Sequence, residues 1–80
     1  MSSLEDQDKR TTLTRDEIER VAKVVVKYLK EHPSVNNRTL RSLTGIGYDQ
    51  AIYFFACMLK EKRLRKTGKG SGTKYVPFDR

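Results

Sequence analysis

The chain has a single cysteine and a single histidine, and these scarcities exclude whole classes of protein. With Cys57 alone no intramolecular disulfide can form, so a hydrophobic core must hold the fold, and we expect a reducing compartment. One histidine and one cysteine cannot supply the tetrahedral set of side-chain ligands that a structural zinc ion needs. We therefore expect neither a disulfide scaffold nor a metal or other cofactor.

The chain also lacks a long apolar run. No stretch approaches the roughly 20 residues that cross a bilayer, and Met1 to Asp8 do not have the basic-then-apolar order of a signal peptide. The 80 residues are too few for a second domain or a deep catalytic cleft. No nucleophile–base pair, metal-ligand cluster or phosphate loop stands out. We expect a non-enzymatic protein without membrane contact, cytoplasmic and nucleoid-associated, or nuclear in a eukaryote.

What the chain has in excess is positive charge. It carries 17 Lys and Arg against 10 Asp and Glu, a net charge of +7 at pH 7. Between Lys60 and Lys74 there are seven cations and one acid, Glu61, which gives this short segment a net charge of +6. The rest of the chain is nearly balanced. Such concentrated charge is typical of a domain that binds a polyanion, nucleic acid above all.

The centre of the basic segment is rich in glycine. Gly68, Gly70 and Gly72 alternate with other residues, and glycine accepts positive φ and permits close approach of the backbone to another surface. We interpret the segment as a β-hairpin whose basic tip lies against the polyanion. The expected strands are Arg63 to Thr67 and Thr73 to Val76. Lysine-rich hairpins also occur as solvated edges that prevent association between sheets, and this alternative stays open.

Within the hairpin, we expect Leu64 and Tyr75 to contact the core, whereas Arg65 and Lys74 should point outward. Phe78, just after the second strand, is expected to cover the edge of the core.

Upstream of the hairpin, apolar spacing predicts three helices. The capping-box pattern of Thr14 to Glu17, with Leu13 and Ile18 as a hydrophobic staple, marks a strong helix start. Apolar residues then recur every three or four positions, as on one face of a helix. Pro33 cannot continue the helix, so we expect the end near His32 in the last turn.

The second and third helices are separated by a glycine-flanked turn. The second should begin at Asn36 or Asn37 and run to about Leu43, with Leu40 and Leu43 facing inward. Gly45 and Gly47 break it, and Ile46 should be the buried plug of a tight turn. The third helix is expected from Tyr48 to about Lys62.

Helix, short helix, tight turn, helix and hairpin follow one another in the order of a winged helix-turn-helix. We therefore predict a small α+β domain over residues 13–78, with three helices followed by a two-stranded β-hairpin wing. Residues 1–12 are almost entirely polar and are expected to form a disordered arm.

Two stretches carry a resemblance to a known group of winged helices. They are residues 37–51 (Asn-Arg-Thr-Leu-Arg-Ser-Leu-Thr-Gly-Ile-Gly-Tyr-Asp-Gln-Ala) and residues 68–76 (Gly-Lys-Gly-Ser-Gly-Thr-Lys-Tyr-Val). Together they resemble the domains that end many RecG-like or AlbA-type transcriptional regulators and some Fic-domain proteins. The similarity spans about residues 35–77 and implies DNA binding. The chain departs from the group at Ile52, Tyr53, Ala56 and Cys57, where basic residues are usual, and at Lys62, where the group has glycine.

In a helix-turn-helix protein, the helix after the turn enters the major groove with its N-terminal residues toward the bases. Gln50 is suited to a bidentate contact with adenine, and Tyr48 or Tyr53 to a phosphate or a thymine methyl group. Basic residues would contact the phosphates of double-stranded DNA and so position the domain on it. These are Arg38, Arg41, Lys66, Lys69 and Lys74. We expect mainly electrostatic binding, in a transcriptional regulator or an accessory factor of a mobile element or phage.

The outer face of the third helix keeps a second function open. Ile52, Tyr53 and Ala56 form a face without charge, which is more typical of a protein contact than of a nucleic-acid contact. A homodimer or a different protein partner would fit this face. RNA is a less favoured partner, since it would require Tyr48 and Tyr53 to stack on unpaired bases.

Overall fold

The computed structural model describes residues 11–68 and 70–79, and it has three α-helices followed by a two-stranded antiparallel sheet. The elements are α1 (Arg15–Leu29), α2 (Asn37–Thr44), α3 (Tyr48–Lys60), β1 (Leu64–Thr67) and β2 (Lys74–Pro77). The predicted fold class is therefore confirmed. Most of the predicted disordered arm lies outside the described residues. Within the described ranges, no helix is both long enough and apolar enough to cross a membrane.

Helix α1 begins as predicted and ends earlier. The amide of Glu17 donates to the Thr14 hydroxyl over 3.2 Å, and the amide of Thr14 donates to the Glu17 carboxylate over 2.8 Å, which completes the capping box. The helix ends at Leu29, so the prediction that His32 lies in its last turn is wrong. Pro33 disfavours helical geometry in the residue before it, and the His32 ring instead stacks on Tyr28, with 4.1 Å between centroids.

Helix α2 buries only one of its two leucines. The Asn36 side chain accepts from the amide of Thr39 over 2.8 Å and caps the helix. Leu40 is fully buried, but Leu43 is 43% exposed, so its predicted inward position is wrong. In a helix of two turns, a residue three positions after the buried one lies about 60° around the axis, at the rim of the core. The turn residue Ile46 is also only half-buried against the core.

The turn between α2 and α3 depends on glycine. Gly45 has φ of +80°, and its amide donates to the carbonyl of Arg41 over 2.8 Å. A left-handed residue directly after a helix stops it and redirects the chain. The prediction that this glycine ends α2 is confirmed.

Helix α3 ends at Lys60, two residues before the predicted end. The amide of Lys62 donates to the carbonyl of Leu59 over 3.1 Å, and the amide of Arg63 donates to the carbonyl of Met58 over 2.8 Å. This pair of bonds is a Schellman motif, which requires a left-handed residue just past the helix. Lys62 is that residue, with φ of +58°.

The hairpin follows directly and is attached to the helices through β2. Leu64 is buried, while Arg65 and Lys74 are exposed, as predicted. Tyr75 lies flat on Phe55, with 3.8 Å between ring centroids and 4° between planes. The backbone of Tyr75 also exchanges two hydrogen bonds with Val35, of 2.9 and 2.7 Å. Val35 thus forms an isolated β-bridge to β2, which places the sheet against the start of α2. Phe78 is 45% exposed rather than covering the core edge.

The glycines of the hairpin loop serve the loop itself. Gly68 has φ of +83°, and a Cβ atom at this position would overlap the carbonyl oxygen of Gly72. Glycine at this position therefore permits a close approach between the two limbs of the loop, and the approach of the loop to a polyanion stays a prediction. Gly70 also has a left-handed φ of +55°, while a Cβ at Gly72 would meet nothing within 4 Å.

One core underlies all these elements, and its members are nonpolar throughout. Helices α1 and α3 contribute most of its residues, and single residues from the segment before α1, from α2, from the Val35 bridge and from β1 complete it. The buried residues are Leu13, Ile18, Val21, Ala22, Val25, Leu29, Val35, Leu40, Ala51, Phe54, Phe55, Met58 and Leu64.

Candidate nucleic-acid interface

Tyr75 determines where the hairpin lies relative to α3. Its ring covers Phe55 in the middle of α3, and its Cα is paired with that of Lys66 across the sheet. Partial burial, with a smaller contribution from the nearby phenol of Tyr48, raises the pKa of Tyr75. Because β1 begins just after the C-terminal end of α3 and Tyr75 stacks on Phe55 in its middle, the ribbon runs back alongside α3 toward Tyr48 at its N-terminal end. The hairpin is therefore on the same side of the domain as the start of α3.

Asn37 joins the start of α2 to Tyr48 at the start of α3. Its side-chain oxygen accepts from Nε of Arg41 over 2.6 Å, and its side-chain nitrogen donates to the carbonyl of Tyr48 over 3.4 Å. The guanidinium carbon of Arg41 lies 5.3 Å from the centre of the Tyr48 ring. Such a cation–π contact contributes about 0.5–1 kcal/mol at an exposed site. Arg41 is thus held in one orientation by two neighbours before any ligand arrives.

We call the group of Arg41, Tyr48, Tyr75 and Lys66 the Tyr48 surface. Tyr75 was predicted only as a core contact, and Asn37 only as a possible start of the second helix. The available signal for Asn37 was its spacing of four residues from Arg41 on a helix, a spacing at which a side-chain hydrogen bond forms readily.

Among the described residues, ion pairs separate the cations into two groups. Arg15 and Arg63 each contact both Glu19 and Glu61 at 3.2–3.5 Å, forming a closed square that joins α1 to the end of α3. Glu61 raises the pKa of Arg15, and the hydrogen bond from Arg63 lowers the pKa of Glu19. The cations of the Tyr48 surface have no such carboxylate partner within the described ranges, so their charge is available to a ligand.

The other residues predicted to contact phosphates lie at different positions relative to the Tyr48 surface. Arg38 is exposed near the start of α2. Lys66 shares a face of the ribbon with its cross-strand partner Tyr75, whereas Lys74 is paired with Thr67 on the other face. The two lysines therefore project to opposite sides of the wing. Lys69, predicted at the tip, lies outside the described residues.

Two predicted base contacts do not join the Tyr48 surface. The side chain of Gln50 accepts from the amide of Gly47 over 3.0 Å and donates to the carbonyl of Thr12 over 3.3 Å. It caps its own helix and ties the N-terminal segment to it. Tyr53 is half-buried in a shallow cleft beside Leu13 and Ile18, on the α1 flank of α3.

An uncharged strip occupies the outer face of α3 next to Arg41. Tyr48 is 58% exposed and Ile52, one turn later, is 47% exposed. Ala56, a further turn along, is exposed as well. The structure therefore brings Tyr48, Ile52 and Ala56 together as one strip and places the third predicted interface residue, Tyr53, at its side.

Comparison with protein-family models, with curated proteins and with solved structures found no match to this chain. The described ranges also contain no group of three or more His, Cys, Asp or Glu side chains that could hold a metal ion. We therefore infer function from the geometry of the Tyr48 surface.

Proposed function

We propose that this domain binds double-stranded DNA through the Tyr48 surface, with Arg38 and the wing lysines as further phosphate contacts. The observation that supports the proposal most strongly is the state of Arg41. It has no carboxylate partner among the described residues, and it is oriented by Asn37 and Tyr48 beside a basic ribbon. Arginine held in this way loses little conformational freedom on binding a phosphate.

The predicted binding is electrostatic and only weakly selective for sequence. Each neutralised phosphate adds about 0.9 to the steepness of log K against log salt, so three or four contacts give a slope of about −3 to −4. The strip of Tyr48, Ile52 and Ala56 can contact thymine methyl groups. Because Gln50 is engaged in capping α3, the strip has few groups with which to read base edges. We propose that a transcriptional or accessory role requires a second copy or a partner to add specificity.

The test is fluorescence anisotropy of a labelled duplex titrated with the protein at several salt concentrations. Arg41→Ala should weaken binding and make the salt slope shallower by about 0.9. Arg15→Ala is the matched control, since it removes the same charge from the ion-pair square. Asn37→Ala is the sharper variant: it keeps every cation yet frees Arg41, and it should weaken binding without changing the salt slope. Equal effects of Arg41→Ala and Arg15→Ala would refute the proposal.

A second candidate function is supported by the exposure of Ile52. The strip of Tyr48, Ile52 and Ala56 is an uncharged helix face, and such a face fits a homodimer or another protein. Sedimentation at high micromolar concentration tests self-association. If the strip is the contact, Ile52→Glu should convert a dimer into a monomer, and Val26→Glu, at a site on α1 that is 54% exposed, should not. A monomer at all concentrations would argue against a homodimer.

A further inference from the structure

Helix α1 carries a second basic surface that the Tyr48 surface does not include. Arg20, Lys23, Lys27 and Lys30 recur at spacings of three and four residues, and all are exposed. We call them the α1 basic row. The row has no ion pair among the described residues. Asp16 and Glu31 share this face, and Glu19 lies at its edge but is paired with Arg15 and Arg63, so the four cations less Asp16 and Glu31 give a net charge of +2.

The row lies on the reverse of the face by which α1 enters the core. Ile18, Val21 and Val25 on α1 are buried against the same core as Phe54 and Phe55 on α3. The outer faces of these two helices therefore point away from one another. A duplex seated on the Tyr48 surface cannot reach the α1 basic row, so the proposed function does not account for it.

The surface beside the row is concave. A shallow groove of about 520 Å³ is bordered by Lys23 and Lys27 on α1, by Lys30 and Glu31 just after it and by Arg63 at the base of the hairpin, with Ala22 and Val26 as its floor. Arg63 is already paired with Glu19 and Glu61, so the three lysines, less the charge of Glu31, leave the groove a net charge of +2. At 1.5 Å rise per residue, the row extends for about 15 Å along the helix axis.

We propose that the α1 basic row contacts the phosphates of a second duplex, so that one domain bridges two segments of DNA. The inference rests on the proposed function, because it extends DNA binding to a second surface. Duplex DNA carries one charge per about 1.7 Å of its axis, so a basic row about 15 Å long faces several phosphates at once. Three observations support a second duplex as the occupant. They are the positive charge of the row, the absence of ion pairs on its lysines among the described residues, and its separation from the Tyr48 surface.

The experiment is co-capture of two duplexes. One duplex is fixed to beads, a second, fluorescent duplex is in solution, and the protein is added at about 0.15 M salt, where charges more than about 8 Å apart are largely screened. The double variant Lys23→Glu/Lys27→Glu should bind a single duplex within about twofold of the unchanged protein yet lose co-capture at least about tenfold. The pair Lys66→Glu/Lys74→Glu has the same charge change and should lose both.

The outcomes distinguish the two proposals. If the unchanged protein binds a single duplex but never captures a second, or if co-capture survives the α1 reversals, the bridging proposal is wrong and the proposed function stands. If no duplex binds at all, the proposed function fails, and the bridging proposal fails with it. Circular dichroism of each variant, together with the neutral pair Lys23→Gln/Lys27→Gln, separates loss of contact from loss of fold.

Discussion

Lys62 offers a direct test of the backbone geometry at the end of α3. It has φ of +58° in the position where a Schellman motif favours glycine. For an L-residue the left-handed conformation costs roughly 1–2 kcal/mol. Glycine avoids this cost, but its more flexible unfolded state lowers the free energy of unfolding by about 0.5–1 kcal/mol. Lys62→Gly should therefore raise the free energy of unfolding by about 0.5–1 kcal/mol.

The assay is urea denaturation followed by circular dichroism, with a thermal melt in parallel. For a domain of this size, such a change in stability corresponds to a rise in Tm of about 2–8 °C. Lys60→Gly is the matched control: it makes the same replacement at the last residue of α3, and it should destabilise by about 0.5–1 kcal/mol. Lys62→Ala should leave the strain in place. If Lys62→Gly is no more stable than Lys60→Gly, the left-handed assignment at Lys62 is wrong.

Three further predictions concern the loop and two titrating groups. Gly68→Ala should destabilise the hairpin by about 1–3 kcal/mol in urea denaturation, because its Cβ overlaps the carbonyl of Gly72, whereas Gly72→Ala should change stability little; equal losses would contradict this. Burial raises the pKa of Tyr75 above the ordinary tyrosine value. The stability that Tyr75 contributes is therefore complete below the ordinary value and is lost as pH rises through the higher folded pKa. In urea denaturation, Tyr75→Phe should remove this alkaline decline in the midpoint. The hydrogen bond from Arg63 lowers the pKa of Glu19. The stability that Glu19 contributes is therefore present above the ordinary glutamate value and is lost as pH falls through the lower folded pKa. In a carboxyl titration by NMR, Arg63→Ala should move the pKa of Glu19 back upward.

Features set by neighbouring residues were predictable from the sequence. The capping box at Thr14, the break at Gly45 and the apolar spacing of α1 and α3 depend on contacts within a few residues, so their pattern alone identifies three helices and a hairpin. Leu43 was misplaced because its spacing from Leu40 allows either burial or a position at the rim. Which of the two occurs depends on how α1 crosses above it, and that is a tertiary property.

The candidate site was predictable as a set of charges and much less so as a geometry. Arg41 and Lys66 were identifiable from the clustering of positive residues. Their relation to one another depends on Tyr75, whose position is determined by the stack on Phe55. Gln50 has the side chain of a base-reading residue, but the same side chain caps α3. Sequence spacing does not decide between these two uses.

The geometry of α3 links the two candidate functions to each other. Tyr48 belongs both to the uncharged strip with Ile52 and to the surface that orients Arg41. A protein that covered the strip would therefore bury the ring over which the guanidinium lies, and an arginine buried without a partner carries a large desolvation cost. Either the partner supplies a carboxylate to Arg41, or Arg41 leaves its place. In both cases the phosphate contact is lost, so DNA and a protein on this strip must compete for α3.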